Sequence, residues 1–235
     1  MINGKRGSHV GVILSFVIFI GFLVFMYPLL IQPTINVKND KQYLLDNLKS
    51  GIISQSSSLI TSLSINTASA PQECIRLNNF VNNSGLNSKI VIKNKNGENQ
   101  IGYIIGNDLE IIRSNSNDTF FRIYNSTSFS SLNDTGQTPC NQVNYDNGAT
   151  RTESYVTESK IKNLISQYED NYTNLKDSLQ LPEGDEFDFT FTYSNKTTIG
   201  VKNDLSTNIY AEESPVQYTK NDGGISVGKI NVRIW

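Results

Sequence analysis

The chain has almost no histidine and little charge. His9 is its single histidine and sits near the N-terminus, so neither a Ser-His-Asp nor a Cys-His arrangement can form in the body of the fold. With only Cys74 and Cys140 beside that imidazole, most transition-metal sites are excluded too. Charged residues make up 18% of the sequence and the formal net charge is −2, which removes any overall electrostatic case for binding nucleic acid. No glycine-rich phosphate loop follows a strand and opens a helix, and there is no internal repeat. Apolar residues reach only 37% of 235 positions. Asn, Ser and Thr supply 72 residues together.

The apolar residues are concentrated at one end. Residues 10–31 (VGVILSFVIFIGFLVFMYPLLI) contain no charge. As a helix they would span about 33 Å, enough to cross the roughly 30 Å hydrocarbon core of a bilayer. Lys5 and Arg6 precede this run, and no acidic residue occurs before Asp40. The positive-inside rule therefore keeps the N-terminus cytoplasmic and exports the rest. A cleaved secretory signal has an apolar core of only about 7–15 residues. The nearest Ala-x-Ala site, Ala68-Ser69-Ala70, lies far beyond the run, so a retained anchor is expected. The domain reading is a basic cytoplasmic tail over 1–9, a transmembrane helix over 10–31, a stalk helix and linker over 32–70, and an extracytoplasmic domain over 71–235. Pro33 is expected to end the membrane helix, because it cannot continue the hydrogen-bond ladder. Within 41–60, Leu44, Leu45, Leu48, Ile52 and Ile53 have helical spacing, weakened by Gly51 and the serines at 56–58.

Lys5-Arg6-Gly7 followed directly by a long apolar helix resembles the class III signal of archaeal type IV pilin-like proteins. The resemblance covers the first thirty or so residues. It implies a cut after Gly7, which would make Ser8 the first mature residue. Pro28 would then lie about twenty residues into the mature helix, where such pilins often carry a kinking proline. Val12 stands at the fifth mature position, where major pilins commonly have glutamate. The resemblance implies a structural, adhesive or envelope-assembly role at the cell surface. Its partners would be the lipid bilayer and other surface or pilus subunits, with no nucleic acid.

The exported part reads as α+β, an antiparallel sheet packed with one main helix. Residues 89–93, 100–105, 109–113 and 119–124 alternate or cluster as four strands of a β-meander, with an Asn96-Gly97 turn signal. Residues 130–147 read as a polar loop. Residues 159–179 carry apolar side chains at the 3.6-residue period, with Thr157 or Ser159 to cap the start and Pro182 to prevent continuation. Phe187, Phe189 and Phe191 alternate on one face of 186–193. Residues 197–201, 208–218 and 225–235 supply three further strands, the last with Ile230, Val232 and Ile234 on one face.

Export gives Cys74 and Cys140 a natural reading as a disulfide, with two free buried thiols as the other reading. Six N-x-S/T sequons occur, at Asn82, Asn117, Asn125, Asn133, Asn171 and Asn195. With 29 asparagines, and about an 18% chance of Ser or Thr two places on, roughly five are expected by composition alone, so the count says nothing. Glu183, Asp185, Glu186 and Asp188 offer hard oxygen ligands and 221–224 resembles half a calcium loop, yet neither has the spacing of a calcium motif. No metal, cofactor or catalytic set is expected. The leading reading is a non-enzymatic anchored surface protein, and the alternatives are an anchored binding module and a carboxylate-based hydrolase.

Overall fold

The computed structural model describes residues 8–136, 140–204 and 209–235, with side chains for all of these except 8, 9 and 28–40. It opens with α1 (Ser8–Ser56), a single helix of 49 residues. At 1.5 Å per residue this rod is about 74 Å long. Its segment Val10–Tyr27 has a mean hydropathy of 2.7 and no buried residue, and is long and apolar enough to cross a membrane. Pro33 does not end the helix, contrary to the sequence expectation. Each of Pro28 and Pro33 withholds one N–H from the ladder, but long helical stretches on both sides outweigh two missing bonds. The second half is held by packing, with Leu45, Leu48 and Ile52 fully buried on one stripe.

Serines end the helix instead. Ser56 Oγ donates to the Ile52 carbonyl at 2.7 Å and Ser57 Oγ to the Ile53 carbonyl at 2.6 Å, local bonds that compete with the helical ladder. Thr157 Oγ1 donates to the Ser56 carbonyl at 3.5 Å and Lys160 Nζ to that of Ser57 at 2.5 Å, which satisfies groups the helix end leaves open. The chain then enters β1 (Ser57–Thr67) with no intervening loop.

The remaining elements in chain order are β2 (Cys74–Leu77), α2 (Phe80–Ser84), β3 (Ile90–Asn94), β4 (Asn99–Ile105), β5 (Asp108–Ile112), β6 (Phe120–Asn125), β7 (Asn141–Gln142), β8 (Tyr145–Thr157), α3 (Glu158–Asp170), α4 (Tyr172–Ser178), β9 (Phe187–Thr192), β10 (Thr198–Val201), β11 (Tyr210–Thr219) and β12 (Ile225–Ile234). The strands follow one another in the order β10-β9-β12-β11-β8-β1-β6-β3-β4-β5-β2-β7. The sheet is mixed, not wholly antiparallel, because β11 runs parallel to β8 and β2 parallel to β7.

The expected meander is a Greek key. Strand β6 returns to pair with β3, with Ile92 opposite Ile123, so the local order is β6-β3-β4-β5. Strand β4 makes the corner, pairing with β3 at Asn99 and Gln100 and with β5 from Ile101 onward. The expected polar loop over 130–147 ends in strands, and β8 is a 13-residue strand pairing with β1 over most of its length. The single helix expected over 159–179 is divided at Asn171 into α3 and α4. Thr157 is the N-cap residue of α3, although its hydroxyl makes no cap hydrogen bond.

Two large apolar cores and one small cluster (Ile60, Phe129 and Tyr155) result. The first joins α1, α3 and α4 to Phe187, Phe189, Phe191, Tyr218, Ile230, Val232 and Ile234 of β9, β11 and β12. One main helix is therefore too few, since the second half of α1 belongs to the same helical layer. Lys41 pairs with Asp185 and Lys49 with Glu212, fixing α1 to the sheet. The second core gathers Leu63 and Ile65 of β1 with Ile75, Leu77, Phe80, Ile90, Ile92, Leu109, Ile111, Phe121 and Ile123.

Candidate functional site

Cys74 and Cys140 are joined in a disulfide with Cα atoms 4.7 Å apart, tying the start of β2 to the chain just before β7. Glu110 lies beside it, fully buried, and the three side chains form the one metal-like grouping among the described residues. Both sulfurs are consumed in the bond, so no thiolate is offered. Glu110 Oε1 instead accepts from Arg76 Nε at 2.9 Å and Nη2 at 2.5 Å, while Oε2 has no hydrogen-bond partner. Gly136 covers that oxygen, and a Cβ there would lie 2.2 Å from it.

Gly7 lies outside the described residues, and Ser8 is the first residue of α1. Of the six sequon asparagines, Asn82, Asn117, Asn133, Asn171 and Asn195 are exposed. Asn125 differs. It is half-buried at the end of β6, and its amide donates to Asn87 Oδ1 at 2.7 Å and to the Lys89 carbonyl at 2.9 Å.

The acidic stretch after α4 is dispersed among cationic and phenolic partners. Asp185 pairs with Lys41. Glu186 accepts from Tyr172 Oη at 2.5 Å and Lys176 Nζ at 3.0 Å. The Tyr172 hydroxyl holds the Glu186 carboxyl below its ordinary range, and burial pushes the Tyr172 phenol well above its own. Asp188 is buried against Arg233, whose Nε donates at 2.7 Å and whose Nη2 makes a second bond. Its Oδ2 also accepts from the Asn203 backbone N–H at 2.8 Å. The turn residue Asp222 accepts from the Gly224 backbone N–H at 2.8 Å.

A different set of residues forms a polar cleft of about 330 Å³ on the face of β6, β1 and β8 turned away from the second core. Alternation in β1 places Ser62 and Ser64 on this face, while Leu63 and Ile65 point into the core. Ser62 stands opposite Tyr124 of β6 and Arg151 of β8, and Ser64 stands opposite Arg122 of β6. The two arginines thus straddle β1, on strands about 10 Å apart. A register shift on β8, opposite Ser64, bulges the strand at Gly148 and Ala149. Gly148 comes so close to β1 that a Cβ would lie 3.3 Å from the Ser64 carbonyl oxygen. Arg151 is held by Glu153 at 2.6 Å, and Tyr155 Oη donates to the other oxygen of Glu153 at 2.7 Å. Burial pushes the Tyr155 phenol upward, and the Glu153 contact adds to that. Ile225, at the start of β12, closes one side.

No known protein family, curated protein or solved structure matches the chain. The cleft must therefore be read from its own chemistry. Sequence reasoning missed it because its residues come from four strands spread between Ile60 and Ile225, and because the polar start of β8 reads as a loop. One signal was present: Arg151, Glu153 and Tyr155 alternate, as one face of a strand requires.

Proposed function

We propose that this chain is a single-pass membrane-anchored surface protein of pilin-like design, with its N-terminus cytoplasmic and its head outside, serving structure, adhesion or envelope assembly. The observation that carries this reading is the continuity of α1. Its exposed apolar part and its core-packed part are one rod, and no linker separates rod from sheet. A protein that needed only tethering would be served by a flexible connection. A rod built into the head instead fixes the head's orientation relative to its neighbours, as a subunit of an ordered array requires.

N-terminal sequencing of the protein recovered from membranes tests the processing step. A mature terminus at Ser8 together with filaments in electron micrographs is the expected outcome. An intact Met1 on a membrane-dispersed monomer would reduce the protein to a plain anchor.

A second reading, an anchored binding module for a solute or protein partner, is favoured by one observation, the cleft on β6, β1 and β8 with its two arginines.

A further inference from the structure

We propose that the cleft on β6, β1 and β8 binds an anionic saccharide, one bearing carboxylate or sulfate groups. The inference rests on the binding-module reading of this face and is independent of how the chain is anchored or assembled.

Charge is the first argument. Without Lys5 and Arg6 the net charge falls from −2 to −4, so the head as a whole repels anions. This face runs the other way. Lys93 and Lys95 line a second depression that shares Arg122 and Tyr124 with the cleft, giving a cationic track of Lys95, Lys93, Arg122 and Arg151. Register places Lys93 directly opposite Arg122. The one acid lining the cleft, Glu153, is already occupied by Arg151 and Tyr155. The Arg122 side chain is exposed and its guanidinium makes no hydrogen bond or ion pair among the described residues. A planar guanidinium fork without a counter-ion suits carboxylate or sulfate oxygens.

Shape and hydroxyl chemistry narrow the class. Ser62 and Ser64 give the floor short hydroxyls that both donate and accept, which is what sugar hydroxyls need. Tyr124 and Tyr155 stand at the apolar end, packed beside Ile60, Phe129 and Val91, and supply aromatic surface held by its surroundings. An acidic peptide fits less well. Among the described residues, β8 pairs beyond Val156 and Thr157 only with β1, so a peptide adding as a strand would run along that outer edge. Arg122 lies on the far side of β1, and a ligand touching Arg122, Ser62 and Arg151 together must lie across the strands.

Titration of the full chain in detergent micelles, followed by calorimetry, tests this. The probes are digalacturonic acid and a sulfated disaccharide, with cellobiose as the neutral comparison. Either acidic probe is expected to bind at least tenfold more tightly than cellobiose, with affinity falling as salt rises. Arg122→Gln should weaken that binding tenfold or more at an unchanged melting temperature, and Lys162→Gln, on α3 across the sheet, should leave it intact. Failure of both acidic probes, equal binding of cellobiose, or an Arg122→Gln affinity equal to wild type overturns the proposal. Tighter binding of inorganic phosphate, an acidic peptide or anionic vesicles at Arg122 would also overturn it, yet would keep the binding-module reading. Silence from every probe would sink both while leaving the anchored rod untouched.

Discussion

Asp188→Ala would leave the Arg233 guanidinium buried beside Asn203 without its counter-ion. Removing one member of a buried pair costs about 3–5 kcal/mol. Urea unfolding should show a loss of that size. Pairing Asp188→Ala with Arg233→Met should recover most of it, and a double variant weaker than the single would refute this account. The sequence placed Asp188 on the face opposite three phenylalanines, and that much is local alternation. It also grouped Asp188 with three neighbouring carboxylates as hard-cation ligands. What the alternation does not carry is that Arg233, 45 positions on, meets Asp188 across a strand pair. Asn125 teaches the same lesson. Its sequon is visible in any reading of the chain, but the two acceptors that occupy its amide belong to Asn87 and Lys89.

At the scale of elements, α1 has two halves under different rules. Leu48 is fully buried, so Leu48→Ala should destabilise the head by about 2–5 kcal/mol. Val17 is 59% exposed on the projecting part, and Val17→Ala should leave the head's urea midpoint unchanged. Equal effects would mean that the two halves are not divided between core and projection. Elements whose signal is a local period were legible: β3 to β6, β9 and β12 lie within a residue or two of where alternation placed them, and helical spacing found the start of α3 but not its break at Asn171. Strand β8 was not, because Asp146 to Arg151 are exposed on both faces and carry no large apolar side chain. Its place is set by pairing with β1, information held some eighty residues away. Pro33 misled for a related reason. It states a local cost, whereas the continuation of the helix is decided by the core that Leu45, Leu48 and Ile52 enter.

The whole molecule is held by one covalent tie between remote segments, the disulfide spanning 66 positions. Closing a loop of that length is worth about 4 kcal/mol in the chain-entropy account. Replacing both cysteines by serine should therefore lower the melting temperature by on the order of 10 °C. An unchanged midpoint would show that the second core holds β2 and β7 without it. The pairing of the two cysteines was open to a reading of export and cysteine count, but the Greek key around them was not, since return of β6 to β3 depends on contacts between non-adjacent strands. Continuity of α1 into β1 also has a mechanical side. β1 is flanked on both sides by antiparallel ladders, with β8 over most of its length and with β6 from Thr61 to Asn66. Tension drawn through the helix arrives at the N-terminal end of that interior strand, loading the β8 ladder from Ser57 and the β6 ladder from Thr61. The cleft proposed for a saccharide lies across the same three strands. A pull between a ligand in the cleft and the projecting half of α1 would run through these three strands, and the short junction between β8 and β11 would stay out of its path.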